Sequence, residues 1–419
     1  MTPISRRGFL TGLSVTAGGA ALAACSTGGG AVDPAEGVGG DFAAAADVEM
    51  RLADAIIAFD DVHQAGVATP AQAHLNLVAF RLREGVDRDG LRRLLRLWTG
   101  DARRLCTGEA PLGSLEPEMV QVPANLTVTS GFGPRIFEII GAEGQRPGWL
   151  APIPEFSRDE LDPAWGQSDL VLQVCSDDPT TLSHAVRHLV RSGTDYATVQ
   201  WMQQGFLHAD GGAPKGATPR NLFGQLDGTV NPRSDVDWDE QVWIDEGPAW
   251  LRDGTAMVVR RINMNMDTWE MLDRNSREES TGRRISSGAP LTGETEFDQP
   301  DYEARDSYGL PVIDARSHIA RARPPAEHPE QKMARRSYNY DEPPIPGSGQ
   351  LSNSGMVFIC FQQDPTKQFT PVQERLDEVD RLNEWITHIG SAVYWIPPGT
   401  SADGRERDSY WGAGLFGSL

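Results

Sequence analysis

Asp169–Gln200 reads DLVLQVCSDDPTTLSHAVRHLVRSGTDYATVQ, and two changes of pattern within it decide the fold. Asp169–Cys175 is a short apolar run of strand length. Asp178-Pro179 then supplies a side-chain acceptor and a first-turn proline, the residue types that open a helix. Leu182, Val186, Leu189 and Val190 recur at helical spacing and form its apolar face. Tyr196–Gln200 (YATVQ) returns as a strand.

The same order extends in both directions. Upstream, His74–Leu82 (HLNLVAFRL) reads as a strand, and Leu91, Leu94, Leu95, Trp98, Ala102 and Leu105 mark a helix. Asn125–Thr129 (NLTVT) is another strand, followed by Gly131-Phe132-Gly133. Downstream the pattern repeats. Thr255–Ile262 is a strand and Thr268–Arg274 a short helix, and Gly355–Gln362 (GMVFICFQ) is a strand. Thr370-Pro371 caps a helix predicted to run to about Ile386, and Ala392–Ile396 closes the set. The repeat predicts an α+β fold of two ferredoxin-like domains with antiparallel sheets, residues 47–220 and 221–419. The polar stretch Asn275–Pro346 is too long for an ordinary connection and reads as a wrap around a ligand.

Composition narrows the partners. The 419 residues carry a formal charge of −21, which disfavours nucleic acid and anionic lipid surfaces. Of four cysteines, Cys25, Cys106, Cys175 and Cys360, no two have the C-x-x-C spacing of zinc or thioredoxin-like sites. Cys175 and Cys360 lie in apolar runs and read as buried thiols.

The N-terminus, MTPISRRGFLTGLSVTAGGAALAAC, reads as a leader over residues 1–25. Arg6-Arg7 ahead of a mild apolar stretch is similar to a twin-arginine export signal, and the stretch is too short to span a membrane. Leu22-Ala23-Ala24-Cys25 is similar to a lipobox, which would acylate Cys25; ordinary cleavage at the neighbouring small residues is the alternative. Residues 26–46, rich in Gly and Ala, read as a flexible tether.

Within residues 221–233, NLFGQLDGTVNPR, the segment Gly224-Gln225-Leu226-Asp227-Gly228 fits G-x-x-D-G, by itself the mark of a turn. Further on come Ser317-His318-Ile319-Ala320-Arg321-Ala322-Arg323-Pro324, then Arg335-Arg336-Ser337-Tyr338-Asn339-Tyr340, then Val357–Gln362. His184 and His188 stand four apart on one helix, but no acidic or cysteine partner is near them in sequence, and they read as surface residues.

This ordered set resembles the dye-decolourising peroxidases, specifically their exported subgroup, from about His74 to the C-terminus. Gly288-Ala289-Pro290-Leu291 and Pro397-Pro398-Gly399 match as well. The resemblance implies one haem b per chain, bound in the C-terminal half, and oxidation of an organic donor by hydrogen peroxide. It implies His318 as the iron ligand and Asp380 as the acid that hydrogen-bonds it, although Asp380 also fits a solvated helix carboxylate. A bond of that kind makes the imidazole a stronger donor. It implies Asp227 as the proton carrier, Arg335 as a fixed positive charge with Arg336 as the fallback, and Asn231 as an orienter of distal water.

Haem contacts fall on Gly228, Thr229, Val230, Arg323, Pro324, Pro325 and Phe361. Two departures concern the propionates. Arg323-Pro324-Pro325 stands where relatives more often have Asn-Pro-Arg, and Ala320 where they often have arginine. The remaining implications are a lipoprotein on the outer face of the cytoplasmic membrane, or a periplasmic or extracellular protein, with a homo-oligomer compatible. The rival reading is a haem- or iron-handling lipoprotein working with iron-uptake components.

Overall fold

The computed structural model describes residues 52–214, 216–401 and 409–418. The leader, the tether and Cys25 lie outside the described residues. Nine strands are described, β1 (His74–Leu82), β2 (Thr127–Phe132), β3 (Leu170–Ser176), β4 (Ala197–Phe206), β5 (Thr255–Met264), β6 (Ala334–Arg335), β7 (Tyr338–Glu342), β8 (Asn353–Gln362) and β9 (Ile386–Ile396). The helices used below are α1 (Arg88–Cys106), α2 (Pro179–Ser192), α3 (Arg274–Thr281), α4 (His318–Ala322) and α5 (Phe369–Val379).

Each half builds an antiparallel sheet in the ferredoxin-like order. The first runs β4-β1-β3-β2 and the second β9-β5-β8, with β7 and β6 sharing the outer edge of β8. The expected antiparallel α+β fold is present, but the two sheets do not stand apart. They meet at two seams, Phe132 opposite Trp395 and Phe206 opposite Asn339, which closes the strands into a barrel.

Period-two alternation then sorts side chains into two populations. Leu75, Leu77, Met257, Val259, Tyr338, Val357, Ile359 and Phe361 fill the interior. The outer faces carry Val78, Phe80, Val258 and Cys360, covered on the first half by Leu91, Leu94, Leu95 and Trp98 of α1 and by Ala185 and Leu189 of α2.

The α2 start is as expected: the Asp178 side chain accepts from Thr181 N at 2.7 Å, with Pro179 in the first turn. The helix ahead of β9 is shorter than expected. It ends at Val379, and a 3₁₀ turn over Arg381–Glu384 follows, because Asp380 breaks the run by accepting from Leu382 N at 3.0 Å. Part of the expected ligand wrap is itself sheet, since it includes β6 and β7.

His184 and His188 are buried, which corrects the surface reading. His188 Nε2 lies 3.0 Å from Asp101 Oδ2, an acid on α1 far away in sequence. Among the described residues no group of His, Cys, Asp and Glu is arranged to hold a metal ion. Cys106, Cys175 and Cys360 are free buried thiols. No described helix is long and apolar enough to cross a membrane.

Candidate functional site

The outer face of the second sheet gathers most of the residues singled out by sequence. His318 is the first residue of α4, and its Nδ1 lies 2.6 Å from Asp380 Oδ2. Asp380 is 4% exposed, and its other oxygen is held by Leu382 N. The break between α5 and the 3₁₀ turn therefore aims a fixed carboxylate at the imidazole. Arg381 N donates to Arg316 O at 3.0 Å, tying that turn to the segment entering α4. The helices α4 and α5 are laced by Arg321 Nη2 to Glu378 Oε2 (2.5 Å) and by Arg375 Nε to Arg321 O (3.2 Å). Burial opposes a charged His318, but the Asp380 carboxylate outweighs it and raises the imidazole above its ordinary value; Arg335 and Asp227 also act on it, in opposite senses.

Asp227 sits in a turn in which Gly224 and Gly228 adopt φ of +82° and +128°, conformations that side-chain-bearing residues avoid. The turn is anchored by Asp227 N to Pro219 O (2.8 Å). Arg220 holds it further, donating to Gly224 O at 2.6 Å and Ile285 O at 2.7 Å. Across from it, Arg335 Nη1 lies 3.1 Å from Asp227 Oδ1. Asn231 clamps the arginine main chain from both sides, donating to Arg335 O at 2.6 Å and accepting from Arg335 N at 3.0 Å. A carboxylate and a guanidinium so held can move a proton and steady a negative charge on one small molecule between them.

The adjacent arginines part company. Arg335 is paired in register with Cys360 on the outer face. Arg336 is buried, its guanidinium taken up by Thr69 O and Gln72 Oε1. Phe361 lies in the barrel interior, on the opposite side of β8 from Cys360, so the structure does not bring it to the cluster. The aromatic on the outer face is Phe358, which packs against Phe369 of α5 at 6.0 Å.

Arg323 lies over the Tyr302 ring at 4.2 Å, and Pro324 and Pro325 are half-buried beside it in sequence. Beyond Gly228, Thr229 is buried while Val230 is 67% exposed. Glu296 had no sequence signal, being one acid in a polar insertion. It accepts from Thr218 Oγ1 at 2.5 Å and Thr229 Oγ1 at 2.9 Å, pinning the insertion to the Asp227 turn. Arg283 does similar work, donating to Gly288 O (2.6 Å) and Glu296 O (2.8 Å).

Comparison with known proteins shows the family. A family model described as Dyp-type peroxidase, N-terminal, matches residues 64–207, and one described as Dyp-type peroxidase, C-terminal, matches residues 218–401. The dye-decolorizing peroxidase of Thermobifida fusca (strain YX) is 37% identical over 418 residues, 94% of each chain. The deferrochelatase of Escherichia coli (strain K12) is 35% identical over 372 residues, 84% of this chain and 86% of that one. The crystal structure of a DyP-type peroxidase from Cellulomonas bogoriensis superposes with a TM-score of 0.82 at 48% identity, covering 87% of this chain and 99% of that one. With both halves matched and relatives aligned along most of its length, the chain belongs to the Dyp-type peroxidases, haem-dependent enzymes that reduce peroxide and oxidise organic donors.

Proposed function

We propose that the chain binds one haem b on the outer face of the second sheet, where His318 would serve as its iron ligand and the Asp227–Arg335 pair would handle the peroxide. The observation that carries this is the 2.6 Å contact of His318 Nδ1 with buried Asp380, which commits one ring nitrogen and leaves Nε2 to act as a strongly donating ligand. The surroundings fit a flat, partly apolar group. Val230, three residues after Asp227, exposes an apolar side chain. Gly228, Thr229 and Val230 would lie along one side, and Arg323, Pro324 and Pro325 on the His318 side.

Bound haem supplies the redox chemistry, accepting oxidising equivalents from peroxide and withdrawing electrons singly from donors. The protein does the rest. Asp227 takes the proton from the near oxygen of hydrogen peroxide and returns it to the departing oxygen, which leaves as water. The Arg335 guanidinium steadies the negative charge that develops as the O–O bond lengthens. Asn231 positions the arginine through its two bonds to the Arg335 main chain, and its second N–H and second lone pair leave it able to orient water beside Asp227.

The test is stopped-flow mixing of haem-loaded Asp227→Asn with peroxide. The account expects unchanged haem content and a loss of about 10²–10⁴-fold in the first step; an unchanged rate removes Asp227 from the mechanism. A second reading, iron handling from haem with uptake components as partners, is favoured by the resemblance to deferrochelatases. Metal-free porphyrin fluorescence accumulating in place of donor oxidation would select it.

The export reading rests on Arg6-Arg7, and anchoring on Cys25. Replacing both arginines by lysine is expected to strand the protein in the cytoplasm, and Cys25→Ala to remove it from the detergent phase. Wild-type protein wholly in the aqueous phase, with an N-terminus other than residue 25, contradicts the anchor.

A further inference from the structure

The connection from α1 to β2 carries apolar side chains on its outside. Leu112 is 94% and Leu115 77% exposed, and Met119 and Val122 are exposed after them. No other stretch of eleven described residues shows four large apolar side chains to solvent. Single exposed leucines need no explanation, but a run of them marks a contact surface. We infer that this surface rests on a zwitterionic lipid membrane. The presence of a membrane at this face rests on the Cys25 anchor reading.

The connection is fastened in a way that holds these side chains out. Pro111 O accepts from Ser114 N at 2.9 Å, which turns the chain between the two leucines. Arg104 Nε donates to Ala110 O at 2.6 Å and Arg191 Nη2 to Gly113 O at 3.3 Å, tying the turn to α1 and α2. Further on, a 3₁₀ turn over Pro117–Val120 buries Val120 and leaves Met119 outside. Thr181 Oγ1 of α2 donates to Val122 O at 2.6 Å.

The chain enters the fold beside this surface. Ala53 O accepts from Ala124 N at 3.4 Å and Ala55 O from Asn125 N at 2.8 Å, directly after Val122 and Pro123. Ile56, the next residue, is also exposed. Residues 26–51 separate Leu52 from Cys25, a reach of at most about 90 Å for extended chain. The face around Leu52 is therefore the one that an anchored chain holds closest to the lipid. Anchoring makes the second contact intramolecular, so two leucines that bind lipid weakly by themselves suffice.

Charge selects the lipid. Glu116 and Glu118 stand exposed between Leu115 and Met119, and the whole chain has a formal charge of −21. Of the arginines at the loop, Arg104 pairs with Glu109 at 3.2 Å and Arg191 is bonded to the turn. Carboxylates at this level attract the ammonium of a zwitterionic headgroup and repel an anionic one.

The experiment places an environment-sensitive nitrobenzoxadiazole label at Leu112→Cys and, as control, at Tyr308→Cys, an exposed position in the insertion between α3 and α4. Cys106, Cys175 and Cys360 are buried and do not compete for it. The haem-loaded chain from residue 26 is held on phosphatidylcholine vesicles by an N-terminal hexahistidine tag and a nickel-chelating lipid, so lipid contact is read whether or not Cys25 is acylated. Blue-shifted emission, quenched by doxyl-labelled lipid, is expected at 112 and not at 308. Leu115→Asp is expected to remove the quenching with the Soret band unchanged, and phosphatidylglycerol in place of phosphatidylcholine to weaken it. Emission at 112 that matches 308, quenching that survives Leu115→Asp, or stronger quenching on phosphatidylglycerol overturns the assignment. So does a blue shift that grows with protein concentration in the absence of vesicles, which gives the face to a second copy of the chain. Lipid contact by the tagged chain, with untagged full-length protein wholly in the aqueous phase, removes the anchor and leaves the surface standing. Full-length protein in the detergent phase, with the label at 112 in water, does the reverse.

Discussion

Asn231 shows how much a single amide contributes to this site. Its two bonds to the Arg335 main chain cross 104 residues of sequence, so Asn231→Ala frees the arginine without touching iron ligation. Misplacing a charge by about 1 Å costs on the order of 10²-fold, and that is the expected loss in the rate of reaction with peroxide, measured by stopped flow with the Soret band as control. On the other side, Asp380→Asn removes the negative charge from the His318 bond. The haem reduction potential is then expected to rise in a potentiometric titration, because a less anionic imidazole stabilises oxidised iron less. His318 and Asp227 were legible through the motifs around them. Strand alternation separates Arg335 from Arg336: Ala334, Tyr338 and Tyr340 face the barrel interior, and Arg336 shares their parity. Alternation along β8 likewise places Phe361 inward with Val357 and Ile359, and Cys360 outward.

At the scale of elements, the strands and α2 were readable because apolar period and capping agree locally. Two features were not. Leu376, Val379, Leu382 and Trp385 keep a helical spacing past residue 380, and only the side-chain bond of Asp380 to Leu382 N ends the helix. The edge formed by β6 and β7 is split between two short strands that pair with different parts of β8, leaving no run long enough to register as a strand. The insertion between α3 and α4 is held by side-chain bonds such as those of Glu296, which have no period. Its junction with the functional cluster is tight. Gly282 caps α3 with φ of +83°, and a Cβ there would come within 2.6 Å of Ile319 Cγ1 and 3.0 Å of Ser317 Oγ. Gly282→Ala therefore strains the turn and pushes on the start of α4. The expected outcome is a lower melting temperature and faster loss of haem to apomyoglobin than in the wild type; equal haem-transfer rates would separate that contact from His318.

Across the whole molecule, a buried ion pair joins the two halves. Arg260 of β5 bonds to Asp159, and both side chains are fully buried. Arg260→Leu leaves an unpaired buried carboxylate and is expected to cost about 3–5 kcal/mol in denaturant unfolding. His388 of β9 faces this pair, with Nδ1 3.7 Å from Asp159 Oδ1. Burial, reinforced by Arg260, lowers it from 6.5 to about 3. The folded protein thus keeps His388 neutral where an unfolded chain protonates it, so its contribution is intact above about 6.5 and declines as pH falls toward 3. By pH 5 the loss is about 2 kcal/mol, and His388→Leu is expected to flatten the stability profile by that amount relative to wild type. The central claim, that the sheet and helices of the second half present His318 to haem iron, has a more direct test: the visible spectrum of haem-loaded wild type and His318→Ala, without and with added imidazole. The account predicts a histidine-ligated spectrum in the wild type, its loss in the variant, and its recovery when imidazole fills the space. A variant with wild-type haem content and an unchanged Soret band contradicts it.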